Sequence, residues 1–97
     1  MIRSFRDRGT EDIFDGRPSQ AARKTCPETI WPVARRKLDQ LNRVARLVDL
    51  ALPPGNRLEP LKKDRAGQHS IRINDQYRLC FRWENADAYE VEITDYH

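Results

Sequence analysis

Ser70-Ile71-Arg72-Ile73-Asn74-Asp75-Gln76-Tyr77-Arg78-Leu79-Cys80-Phe81-Arg82-Trp83 decides the fold. Ile71 and Ile73 alternate with polar neighbours, Asn74-Asp75-Gln76 has the composition of a turn, and Tyr77, Leu79, Phe81 and Trp83 alternate with Arg78, Cys80 and Arg82. Side chains on a strand point to opposite faces with a period of two. The stretch therefore predicts two strands, 70–74 and 77–83, with one apolar face and one arginine-bearing face. Downstream, Glu84 to Asp87 reads as a second turn. Residues 88–95 read as a third strand, with Tyr89, Val91 and Ile93 on one side and Glu90, Glu92 and Thr94 on the other. An antiparallel meander with one apolar face needs something to cover that face.

The cover lies upstream. Apolar residues at Ile30, Val33, Ala34, Leu38, Leu41 and Ala45 recur at helical spacing, which predicts a helix over about 29–47 with Thr29 as its cap and Pro32 tolerated in the first turn. Residues 8–14 predict a shorter helix with Thr10 or a neighbour near its start, stopped by Gly16. Met1 to Phe5 reads as a short strand, 17–27 as a loop, and 50–68, with Pro53, Pro54, Gly55 and Pro60, as a long loop of the kind that often carries function. The order is βααβββ: one α+β domain over 1–97, with two helices on one face of the sheet and an open polar face behind.

Composition narrows the function. The chain has 97 residues, 34% of them charged and 38% hydrophobic, with a formal net charge of +3. The charges are unevenly distributed. Arg57, Lys62, Lys63, Arg65, Arg72, Arg78 and Arg82 outnumber the acids between Pro54 and Trp83, whereas 84–97 hold Glu84, Asp87, Glu90, Glu92 and Asp95 and no lysine or arginine. That pattern suggests a polarised molecule with a phosphate-binding face. No apolar run reaches the length of a membrane span, and the N-terminus lacks a signal core, so a cytoplasmic protein without membrane contact is expected. Cys26 and Cys80 have neither disulfide nor zinc-ligand spacing. No metal or cofactor is expected.

RNA can be cut without metal because its own 2′-OH is the nucleophile. The protein must supply a base for that proton, cations for the phosphorane and an acid for the leaving oxygen. The basic loop and strands, with Glu59, His69 and the ending Asp95-Tyr96-His97, contain those groups. Phosphate-loop, nucleophile-elbow and zinc-protease motifs are absent. His97 is the side chain whose ordinary titration range best suits proton transfer near neutrality.

The segments at 1–5, at 57–67 (Arg57-Leu58-Glu59-Pro60-Leu61-Lys62-Lys63), at 69–81 and at 95–97 resemble the HigB-like branch of the RelE superfamily. These are toxins of bacterial toxin–antitoxin pairs that cut mRNA on the ribosome. The resemblance implies catalytic roles for Lys62, Arg78, Asp95, Tyr96 and His97. Glu59 stands where many relatives have a histidine, and its carboxylate offers a proton acceptor. Lys63, Arg65, His69, Arg72 and Arg82 are expected as RNA-backbone contacts or surface residues. The resemblance also implies a HigA-like helix-turn-helix antitoxin, with ribosome and mRNA as further partners. The rival reading is a basic RNA- or ribosome-binding inhibitor that does not cut.

Overall fold

The computed structural model describes residues 1–95. Helices α1 (Arg8–Asp15), α2 (Gln20–Thr25) and α3 (Trp31–Arg43) precede a four-stranded antiparallel sheet. Its strands are β1 (Glu59–Pro60), β2 (Gln68–Arg72), β3 (Tyr77–Glu84) and β4 (Asp87–Asp95), in that spatial order. The α+β architecture and the meander are as the sequence predicts. Ile13, Leu38, Leu41, Ile71, Leu79, Phe81 and Val91 form a continuous core between the helices and one sheet face. Each such buried side chain contributes roughly 1.5–3 kcal/mol.

The helices depart from expectation in instructive ways. Asp7 caps α1, accepting from the Thr10 amide at 2.7 Å. Thr10 is instead fully buried, and its hydroxyl accepts from the Ile93 amide at 3.0 Å. The predicted loop over 17–27 contains α2, capped by Ser19. Its close crossing of α1 requires Gly9, where a Cβ would stand 2.5 Å from the Ala21 carbonyl oxygen. A single turn over Glu28–Ile30 leads into α3, so the helix starts later than expected and Ile30, rather than Thr29, precedes its first residue. It ends at Arg43, which leaves Ala45 exposed instead of completing the apolar stripe.

The N-terminal segment does not form a full strand. It lies parallel to β4 through bridges at Ile2–Ala88 and Phe5–Val91. Ala88, Glu90, Val91 and Ile93 amides are taken by Met1 O, Ser4 Oγ, Ser4 O and Thr10 Oγ1. The outer edge of β4 is thereby closed, as an edge strand requires.

A bulge corrects the expected face assignment. The β3–β4 register shifts between Cys80 and Arg82, and Glu90 has φ 53°. Cys80 pairs with Glu92, but Arg82 pairs with Tyr89. Tyr89 therefore leaves the face of Val91 and Ile93 and meets the Arg82 guanidinium, whose carbon is 5.1 Å from its ring centroid. An extra residue in one strand shifts alternation by one, which moves every later side chain to the other face.

Candidate active site on the polar sheet face

The face away from the core is built from three cross-strand rows. Arg72, Arg78 and Thr94 form one; Glu59, Ser70, Cys80 and Glu92 the next; Gln68, Arg82 and Tyr89 the third. The loop between α3 and β2 brings Glu59 onto this face by pairing β1 with β2.

Arg78 is held at the first row. Its Nε donates to Ser70 Oγ at 2.8 Å, and its Nη2 donates to the Arg57 carbonyl at 2.8 Å. The same Nη2 stands 3.5 Å from Glu59 Oε1. Arg78 is only 12% exposed, Glu59 51%. Ser70 and Cys80 are fully buried beneath them. Burial pushes the Cys80 thiol above its ordinary range, with the Thr94 hydroxyl and the Arg65 and Arg78 cations acting the other way. A buried, protonated thiol is a floor, not a nucleophile.

The Arg57 carbonyl reaches Arg78 because Arg57 adopts a left-handed conformation, φ 48° and ψ 55°. For a non-glycine residue this costs roughly 1–2 kcal/mol. Such conformations persist where neighbouring structure fixes them, and they concentrate at functional sites.

The remaining expected residues divide clearly. Lys62 and Lys63 are exposed at the turn before β2. Arg65 bends over the sheet to Glu92 at 2.7 Å and Gln68 at 3.0 Å. Arg72 pairs with Asp75. Arg82 contacts Glu84 at 2.6 Å and Glu90 at 3.5 Å. Asp95 accepts from Gln76 at 2.9 Å and follows Thr94, the residue opposite Arg78. His69 is displaced from the expected set. It lies on the helix-covered face, its ring 6.3 Å from that of Phe81, opposite in sense to Arg72, Arg78 and Arg82. Its partner on β3 is Phe81, so alternation places it with the core. Tyr96 and His97 lie outside the described residues.

The expected charge polarisation is also undone. Antiparallel pairing sets acidic β4 beside basic β3, so Arg65 meets Glu92 and Arg82 meets Glu90. The face is a mosaic of matched charges with exposed lysines at its rim. Ser70 was recoverable from alternation, since Ile71 and Ile73 on one face put Ser70 and Arg72 on the other. The Arg57 carbonyl had no signal, because a main-chain group has no residue-type signature.

The sequence matches the HigB-like toxin family, described as the RelE-like toxin of type II toxin–antitoxin system HigB, over residues 3–97. The chain belongs to the HigB-like family of RelE-like toxins. It is 36% identical to Toxin HigB-1 of Vibrio cholerae over 88 residues, covering 91% of this chain and 90% of that one. It is 29% identical to Endoribonuclease HigB of Proteus vulgaris, with both chains fully covered. The fold of this HigB-like toxin resembles that of YafQ from E. coli (TM-score 0.58, 14% identity, 99% of this chain and 92% of that one). It also resembles the YoeB/ParE toxin from Agrobacterium tumefaciens (TM-score 0.55, 17% identity, 98% and 99%). A similar chain occurs in a YoeB–YefM complex from Staphylococcus aureus (TM-score 0.54, 15% identity, 100% and 98%). A type II system pairs its toxin with an antitoxin, so this chain has an antitoxin partner. No helix of the described residues is long and apolar enough to cross a membrane.

Proposed function

We propose that this toxin is a ribosome-dependent endoribonuclease that cuts mRNA in the cytoplasm without a metal ion and so stops translation and growth. One observation carries the proposal: a guanidinium held in place on the polar sheet face with a carboxylate 3.5 Å away. Cation and proton acceptor stand side by side, as attack by a 2′-OH on its neighbouring phosphate requires.

In this reading Glu59 takes the 2′-OH proton as the oxygen attacks phosphorus, and Arg78 and Lys62 balance the charge that builds on the phosphorane. His97 protonates the leaving 5′-oxygen, with Asp95 and Tyr96 orienting it. Lys63 and Arg65 steer the backbone, and Arg72 and Arg82 make peripheral contacts. A HigA-like helix-turn-helix protein is the proposed antitoxin. The ribosome supplies mRNA in a fixed path, which a shallow face needs in order to gain orientation.

Primer extension on mRNA from expressing cells, combined with analysis of the new 3′ ends, tests this. Discrete cuts within codons ending in 2′,3′-cyclic phosphate or 3′-phosphate are expected. Intact mRNA in growth-arrested cells would establish a non-cleaving inhibitor, and 3′-hydroxyl ends would establish a different chemistry.

A further inference from the structure

The carbonyl that receives Arg78 belongs to a loop, and that loop is tied to α3 by one side chain. We infer that Asn56 is a positioning residue for the Arg78 guanidinium. Its side chain is fully buried although it lies in the turn Pro54–Asn56, among exposed neighbours. Its Nδ2 donates to Gln40 Oε1 at 3.0 Å, to the Leu50 carbonyl at 3.1 Å and to the Leu52 carbonyl at 3.2 Å. Its Oδ1 accepts from Lys37 Nζ. Gln40 in turn donates to the Leu52 carbonyl at 2.6 Å. Asn56 thus joins two residues of α3, Lys37 and Gln40, to the main chain at Leu50 and Leu52.

The consequence appears one residue later. Arg57, in its left-handed conformation, donates its amide to the Pro54 carbonyl at 3.1 Å and turns its own carbonyl to Arg78 Nη2. The path runs from the helix-covered side of the molecule to the polar face: Lys37 and Gln40, Asn56, the Arg57 carbonyl, Arg78. Burial lowers the tendency of Lys37 to stay protonated, reinforced by Arg36 and Arg72, and the Asn56 oxygen answers that cost with an acceptor. A side chain needed only to fill the turn would not require four polar partners. This arrangement fixes where a strained peptide group points.

The inference rests on the reading of Arg78 as the phosphate-holding cation, and its test separates the two. Arginine side-chain NMR on the full chain follows rotation about the Arg78 Nε–Cζ bond. In Asn56→Ala that rotation is expected to speed up by about tenfold, the scale of one lost hydrogen bond to a charged group. The Arg82 side chain, held by carboxylates away from the loop, should keep its wild-type rate. On programmed ribosomes kcat should fall by about the same factor while KM moves by less than about twofold, because the lost restraint acts on the transition state. Unchanged Arg78 rotation in a folded Asn56→Ala protein overturns the inference. If that variant does not fold, Lys37→Met, which keeps the aliphatic stem and removes the donor to Asn56, must free Arg78 in the same direction, and an unchanged rate there also overturns it. A wild-type protein that cuts nothing would refute the nuclease reading and leave the rotation measurement to decide this one.

Discussion

Arg78 and Arg82 stand on the same face of one strand, four residues apart, and are restrained in opposite ways. Arg78 is 12% exposed and donates to a buried hydroxyl and a main-chain carbonyl, with Glu59 at 3.5 Å. Arg82 is 40% exposed, stacks on Tyr89 and is bracketed by Glu84 and Glu90, both at least half exposed. Neutral, fixed acceptors orient a guanidinium and add no opposing charge of their own. Each guanidinium also has a half-exposed carboxylate at 3.5 Å, Glu59 for Arg78 and Glu90 for Arg82, and Arg82 has Glu84 at 2.6 Å as well; such exposed pairs contribute only about 0–1 kcal/mol each and leave the geometry loose. The same residue type is thus fixed in place at one end of the strand and left as a solvated surface group at the other.

The largest expected effect is the difference between the two alanine variants. Arg78→Ala should lower kcat for mRNA cleavage by roughly 10²–10³-fold, as loss of one transition-state donor does. Arg82→Ala should lower RNA binding only a few-fold and reduce the salt slope by about 0.7, one phosphate contact on a single strand. Similar losses in single-turnover assays of both variants would break the comparison. Next comes the carboxylate test. Glu59→Gln keeps the shape beside Arg78 and removes the proton acceptor, so about a 100-fold fall in kcat is expected. Glu90→Gln, which faces Arg82, should leave kcat unchanged. Full activity in Glu59→Gln would transfer the base to His97.

A thiol on the site floor sharpens the contrast further. Cys80 should resist iodoacetamide at pH 8, being buried and raised above its ordinary range by that burial. Arg78→Ala should open access and speed its alkylation, and Arg82→Ala should not, while buried Cys26 stays silent as the control. Mass spectrometry of the modified chain decides it. The smallest effect is alkaline. Burial raises Cys26 from 9.0 to about 11, so the folded chain holds a proton that the unfolded chain releases. Its contribution is complete below pH 9 and is lost as pH rises toward 11. Urea midpoints should fall across that window, and Cys26→Ala should flatten the decline.

Much of this is legible in the sequence. Alternation gave the strands of the meander, and the stripe from Val33 to Leu41 gave α3, because both are read directly from periodic burial. Shorter or non-periodic features escaped. In α2 only Ala22 is buried, too little to form a stripe. The bulge at Glu90 has no sequence mark, so the fate of Tyr89 was misjudged. At the site, Arg78 and Glu59 came from resemblance, and the structure places them together. Proximity in sequence to the basic segment groups His69 with the RNA contacts, whereas parity along the strand sends it to the core. The Arg57 carbonyl and the carboxylates facing Arg65 and Arg82 depend on strand pairing and backbone angle, which residue type does not encode.

The closing of β4 by Met1 to Arg6 has a consequence for folding. Residues 1–6 find their amide and carbonyl partners among 88–91, so joining them closes a loop of most of the described chain. Contacts that distant form late in folding. Docking of the N-terminal segment is therefore a late event, and the β4 edge stays open until it happens.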